Sequence, residues 1–366
     1  MSLSHDRRRA IEHALLALVP GLVTAYVLYR TYADGNAAVD FRHSFWIAGW
    51  RTLHGFDPYR WTRAQTAAGA SFPYPAPAAV LFALWALLPS FSAGIIATAA
   101  CVLAVPAALR ILDVRDWRIY GAAALWSPVI VGWQTANLTL PILVGLALLW
   151  RWRGRPWAVA TLVAGLICLK PILAPLWLWL VVTGRHRAAG SALVMGIVLN
   201  TVAWSILGWR ELGAWWRLLH RQGGLRDATG YSLTALTTHL GLERAAGVVL
   251  ILLCGLLLTA IAARAHGPAR EVRALSAAVL LTIVISPQID LHYLALLAVP
   301  LALTDRRLGW AWLAPLVLWP CPATAAATWQ IVLWWAVLTA LAVRILTAQR
   351  AGTPGRTQPA GPVSRV

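Results

Sequence analysis

Three side chains stand out as able to move a proton or hold an anion in a largely apolar chain: the carboxylate of Asp40, the ammonium of Lys170 and the imidazole of His292. Transfer of a group to a hydroxyl needs a base to take the hydroxyl proton, and carboxylate or imidazole is the usual choice. Asp40 opens a polar loop, Gly55, Asp57, Pro58 and Tyr59 lie in its middle, and Pro73, Tyr74, Pro75 and Pro77 close it. Because Asp40 directly precedes a stretch of helical spacing, it suits either an N-cap or a general base. Asp57 stands in a Gly-Phe-Asp-Pro turn, where a carboxylate bonds its own backbone. Asp34, Glu211, Asp227, Glu243 and Asp290 are the other acids expected on the same side.

Lys170 is the only lysine among 31 basic residues and lies in an apolar run between Cys168 and Pro171. An ammonium in hydrocarbon is costly, so such a group either binds an anion or snorkels to the interface. His292 follows Ser286, Pro287 and Asp290 and suits a hydrogen bond to a phosphate or sugar, or plain solvation with Asp290 as partner. A second polar stretch interleaves Trp209, Trp215 and Trp216 with Arg210, Arg217, His220, Arg221 and Arg226. Aromatic faces with guanidinium forks suit a sugar beside a phosphate. Gln134 and Asn137 lie in a short turn on the same side. Nothing has metal-ligand spacing, and neither a Gly-rich phosphate cradle nor a nucleophile elbow is present, so no metal or other cofactor is expected. Cys101, Cys168, Cys254 and Cys321 read as small packing residues.

The elements that must position these groups are membrane helices. Of 366 residues, 60% are hydrophobic and 12% charged, and apolar runs of roughly 15 to 20 residues approach the length of a bilayer span. The net charge of +18 resides in short connectors between those runs, which matches the positive-inside rule better than nucleic-acid binding. The first apolar run, Ala14 to Tyr29, follows Arg7, Arg8 and Arg9 and reads as an uncleaved signal anchor with a cytoplasmic amino end. Residues 30–73 then form a first extracytoplasmic loop, with a juxtamembrane amphipathic helix from Phe41 to Leu53, and residues 208–243 a second.

Basic connectors at Arg151 to Arg155, Arg185 to Arg187, Arg264 to Arg273 and Arg306 to Arg307 agree on one cytoplasmic face. Arg110 to Arg118 conflicts with them if Pro75 to Leu88 and Ala93 to Leu112 both cross the membrane. One segment between Tyr74 and Trp150 is therefore expected to be broken or re-entrant. The expected architecture is all-α and polytopic, with about 12–13 transmembrane helices in one domain over residues 1–350 and a flexible cytoplasmic tail at 351–366.

The sequence resembles the actinobacterial polyprenyl-phosphate-mannose-dependent α-mannosyltransferases, glycosyltransferase family 87. The resemblance rests on Val39-Asp40-Phe41, Gly55 to Tyr59, Phe72-Pro73-Tyr74, Gln134 to Asn137, Leu169-Lys170-Pro171, Ser286-Pro287 and His292-Tyr293. It departs from the family pattern in the spacing around Gln134 and Asn137 and in having Asp290 where an aromatic residue is common. The resemblance implies a GT-C fold at the plasma membrane with the active site on its extracytoplasmic face. It further implies a polyprenyl phosphomannose donor, a glycolipid or lipoglycan acceptor of the cell envelope, and inversion to an α linkage. Asp40 is then the base. His292, Lys170, Arg217, Arg221, Gln134 and Asn137 are the expected donor-binding groups, with Gly55, Asp57, Pro58, Tyr59 and Tyr74 shaping the loop. A pentofuranose donor on the same fold, or a lipid or sugar transporter, are the competing readings.

Overall fold

The computed structural model describes residue 11 and residues 14–226, 228–266 and 269–348, and these are helix and loop with no strand. Arg7 to Arg9, Asp227 and the tail at 351–366 lie outside the described residues. Every apolar run in the sequence is helical, yet fewer are long enough to cross a bilayer than the run count suggests. Among the described residues four helices qualify: Ser90–Ile111 (α4), His186–Leu207 (α10), Arg244–Ala263 (α12) and Thr328–Thr347 (α15). Ser127–Thr135 (α6) and Thr139–Arg151 (α7) add a fifth if taken as one span, but they are bent by 114°. The all-α, many-helix architecture is the one expected, with, among the described residues, four or five helices of full span by length and composition and shorter apolar helices in the other runs.

Proline is the main reason. The run from Trp157 to Val182 is cut at Lys170-Pro171 into Pro156–Leu169 (α8) and a short turn leading to Pro175–Val182 (α9). A residue before proline is pushed out of the helical region, and Lys170 is extended at φ −145°, ψ 94°. Fourteen residues of α8 rise only about 21 Å, less than a hydrocarbon core. α10 and α12 keep most of their surface outside the bundle, with Leu193, Ile197, Leu252 and Leu256 exposed, as lipid-facing helices do.

The charge conflict around Arg110 bears on Ala76–Trp85 (α3), whose 10 residues are too short for a full span. It packs closely against Trp46–Leu53 (α2), with Gly49 against the backbone of Phe82. Tyr74 just ahead of it lies against Phe45, Phe41 meets Trp85 near its end, and the indole of Trp46 donates to Leu88 O at 3.0 Å. Both ends of α3 therefore stay with the first polar loop. The chain then crosses in α4 to Asp116, whose carboxylate accepts from Arg118 and from Leu308 N at 2.8 Å.

Those contacts mark the basic end of the bundle. There Glu271, at the start of Arg270–Val284 (α13), accepts from Arg153 at 3.1 Å and Arg185 at 2.7 Å, while Asp305 pairs with Arg344. Following the chain, α8, α10 and α13 each run from this end to the other, where Asp40, Asn137, Lys170, Asp290 and His292 converge.

The tightest joint in the first loop is between α2 and α3. A Cβ added at Gly49 would stand 2.1 Å from Phe82 O, a backbone atom that no rotamer change can move. Gly49→Ala is expected to lower stability by about 1–3 kcal/mol or more, read as an earlier thermal unfolding midpoint in detergent. Gly196→Ala in α10, where nothing lies within 4 Å of the added carbon, is the control and should leave the midpoint unchanged or raise it.

Candidate active site

Asp40 and Asn137, 97 residues apart, are brought together by two unusual turns. Ala136 adopts the left-handed conformation (φ 50°, ψ 47°) and ends α6, so that Asn137 N folds back to Gly132 O at 3.1 Å. Ala38 is likewise at φ 54°, and its N–H donates to Gln134 O at 2.9 Å. The first loop is thereby fastened to the bend between α6 and α7. Asn137 Nδ2 then donates to Asp40 Oδ2 at 2.9 Å. Asp40 itself is helical (φ −63°, ψ −44°) and makes no side-chain bond to the following backbone. Its capping role is not used, and its carboxylate is turned into a cavity.

Lys170 reaches the same cavity from the break after α8. Its side chain is buried, donates to Thr139 Oγ1 at 2.9 Å and lies 4.0 Å from the ring centre of Tyr293. Snorkelling is not what this lysine does. His292 is also buried, its ring 5.0 Å from that of Tyr293, and its Nε2 has no hydrogen-bond partner. Asp290 pairs not with His292 but with Arg226, at 3.6 Å.

Arg226 ends Arg210–Arg226 (α11) and is itself buried. It fits because Gly69 has no side chain: a Cβ there would lie 2.5 Å from Nη1. Gly230, at φ +82°, gives the opposite wall its close approach, with Tyr231 N donating to Ile289 O at 2.7 Å and so fixing the residue before Asp290. Burial pushes the Asp290 carboxyl up to about 6, opposed by Arg226. Burial likewise raises the Asp40 carboxyl, while the hydrogen bond from Asn137 and the charges of Arg226 and Lys170 pull the other way.

These groups line one cavity of about 580 Å³. Its polar pole carries Asp40, Asn137, Lys170, Arg226, Asp290 and His292, and Phe45, Tyr74, Val131, Ile172 and Trp215 supply apolar wall. α11 closes one side through one stripe: Trp215, Leu219, Gln222 and Arg226 recur at helical spacing. The stripe is tied to the first loop by Trp215 Nε1 to Pro73 O at 3.1 Å and by Ser71 to Gln222 at 3.3 Å. A carboxylate able to take a proton and cations able to hold an anion thus line one cavity.

Several expected residues are placed elsewhere. Gln134 does not line the cavity: its amide donates to Thr31 at 3.2 Å and its carbonyl holds Ala38, so it braces the loop from behind. Arg217 and Arg221 face the neighbouring side of α11 and line a separate recess of about 170 Å³ with Asp57, Tyr59 and Trp61. Arg221 donates there to Trp61 O at 2.8 Å. Asp57 makes the expected turn, accepting from Tyr59 N at 2.7 Å; Gly55 is at φ +73°, and Pro58 and Tyr59 are buried beneath. Thr139, Gln222 and Tyr293 were not selected from sequence as site residues, and Arg226 entered only with the other basic residues of its stretch. The stripe through α11 was the available signal for Arg226 and Gln222; Thr139 carried none.

Residues 72–287, more than half of the chain, match the profile of glycosyltransferase family 87. The chain belongs to glycosyltransferase family 87. No curated protein and no solved structure matches it. The family 87 segment contains Tyr74, Asn137, Lys170 and all of α11, and the fold adds Asp40 from before it and Asp290 and His292 from after it. The protein is a glycosyltransferase with several apolar helices, and its cavity is where a sugar donor and a hydroxyl acceptor can meet.

Because burial raises the Asp40 carboxyl, the acid limb of the pH dependence of kcat/KM is expected above the ordinary aspartate range, with activity lost as the carboxylate is protonated. A hydrogen bond to the charged form favours that form, so Asn137→Leu should move this limb to still higher pH. A limb that does not move would separate Asn137 from the ionisation that governs turnover.

Proposed function

We propose that this family 87 enzyme transfers a mannosyl residue from polyprenyl phosphate to a hydroxyl of a cell-envelope glycolipid or lipoglycan, with inversion to an α linkage. The observation that carries this reading is the shared chamber: Asp40, oriented by Asn137, opens on the same space as Lys170, His292 and Arg226. The Asp40 carboxylate takes the acceptor O–H proton as the acceptor oxygen bonds to the anomeric carbon. The bond from that carbon to the phosphate oxygen breaks on the opposite face, and polyprenyl phosphate leaves with the electron pair. Negative charge grows on the leaving oxygen in the transition state, and preorganised donors at that point lower the barrier. Lys170, the unpartnered Nε2 of His292 and Arg226 are the groups suited to it.

The apolar wall made by Phe45, Val131, Ile172 and Trp215 suits the first isoprene units of the donor. Collection of the basic connectors at the far end of the bundle supports a cytoplasmic position for that end and an extracytoplasmic position for the chamber. A transporter is the poorer reading, since its site belongs near the midplane between repeats, whereas the ionisable groups here gather toward one end.

The test is transfer from radiolabelled polyprenyl phosphomannose to a panel of glycolipid acceptors, with linkage analysis of the product. Asp40→Asn should lower turnover by about 10²–10⁴-fold, the usual worth of a general base, without changing expression or thermal midpoint; near-normal turnover would remove Asp40 from the mechanism. Lys170→Met should mainly raise the KM for donor, and an unchanged donor dependence would assign the phosphate to other groups.

A further inference from the structure

Thr139 is fully buried at the first position of α7, and it touches both halves of the chamber. Its backbone N–H donates to Asn137 Oδ1 at 3.0 Å, and its hydroxyl lies 2.9 Å from the same oxygen and 2.9 Å from Lys170 Nζ. The proton positions in this chain of contacts are dictated by valence. A backbone N–H can only donate, so the atom of Asn137 facing it is the carbonyl oxygen and the amide NH₂ must face Asp40. With Lys170 as an ammonium, which can only donate, the Thr139 hydroxyl accepts from it and spends its own hydrogen on Asn137.

We infer that Thr139 is the positioning residue that couples the anion-binding end of the chamber to the base, its hydroxyl joining Lys170 to the Asn137 amide that orients Asp40. This rests on the reading of Asp40 as base and Lys170 as a donor-phosphate group. Thr139 touches no substrate and acts through those two side chains. Without its hydroxyl, Lys170 keeps the face of Tyr293 but loses its hydrogen-bond acceptor. Asn137 keeps the backbone N–H but loses half of what holds its carbonyl.

Lys170 is the only lysine in the sequence, which provides a readout that needs no sugar. Reductive methylation with formaldehyde and cyanoborohydride, followed by peptide mapping to separate Lys170 from the amino terminus, reports on this one ammonium. The variants are Thr139→Val, which keeps shape without the hydroxyl, and Thr139→Ser, which keeps the hydroxyl. In Thr139→Val, methylation of Lys170 at pH 6, where more of the amine is protonated, should accelerate several-fold, as a charge-assisted hydrogen bond that favours the ammonium is lost. Turnover should fall about 10–100-fold with a higher KM for donor and an acid limb moved to higher pH. Thr139→Ser should stay within about threefold of the parent protein on every measure.

Unchanged methylation and turnover in Thr139→Val would overturn the inference. So would Thr139→Ser failing as badly as Thr139→Val while folded, because shape and not the hydroxyl would then be what matters. Accelerated methylation with undiminished turnover would also overturn it, leaving Thr139 a structural contact alone. If Thr139→Val does not fold, Thr139→Cys takes its place with the same expectations in milder degree, and parental behaviour there overturns the inference. Absence of any transfer by the parent enzyme would refute the proposed function, while the methylation arm still decides whether the hydroxyl holds Lys170.

Discussion

An ion taken out of water into a low-dielectric interior costs several kcal/mol unless other groups replace its hydration, and this fold gathers Asp40, Lys170, Arg226 and Asp290 into one chamber. Each is compensated differently. Asp40 has the Asn137 amide, Lys170 a hydroxyl and an aromatic face, and Arg226 the Thr229 hydroxyl with the Asp290 carboxylate 3.6 Å away. Truncating one of them to an apolar side chain would leave a polar partner buried and unpaired, which is costlier than never having the pair. These mutual requirements bring elements distant in sequence together here: the first loop, the α6–α7 bend, the break after α8, the end of α11 and the segment before α14 (Ala298–Thr304).

The amphipathic helix α11 gives this assembly its wall. One of its faces completes the chamber through Trp215, Gln222 and Arg226, and the adjacent face lines the smaller recess through Arg217 and Arg221. A shift of one helical position, about 100° of rotation, separates a residue that meets the reacting groups from one that meets the outer loop. Both faces are hydrogen-bonded to the segment between Trp61 and Pro73. The two polar loops thus form one body over the helices, and the first loop takes its shape from buried aromatic contacts among Phe41, Phe45, Phe72 and Phe82.

How far this was legible in the sequence depended on whether the determining interaction was local. The turn at Gly55 to Tyr59, the helix break at Lys170-Pro171 and the gathering of basic connectors were all readable, because proline, glycine and charge act at short range or through the membrane. The Asp40 alternatives could not be separated, since capping and catalytic geometry differ only in where Asn137 lies. Counting apolar runs gave more segments than full-length helices because runs such as α3 are as hydrophobic as a span but only 10 residues long in helix, and α3 is held at both ends by the first loop. Arg217 and Arg221 were chosen for their charge, whereas what decides access to the chamber is helical phase, which favours Arg226. Gln134 was chosen for its amide, but its backbone carbonyl does the work of placing Ala38.

Ala38 and Ala136 hold a conformation that glycine would adopt freely and that costs an L-residue about 1–2 kcal/mol each. Glycine at either point would relieve that strain and also widen the range of shapes open to the backbone around the carboxylate. With alanine the turn has few alternatives, so the Asp40 carboxylate and the Asn137 amide stand in register before any ligand enters. Substrate binding then needs little ordering of the protein, and the energy of gripping the long donor remains available for bringing the sugar to the acceptor oxygen.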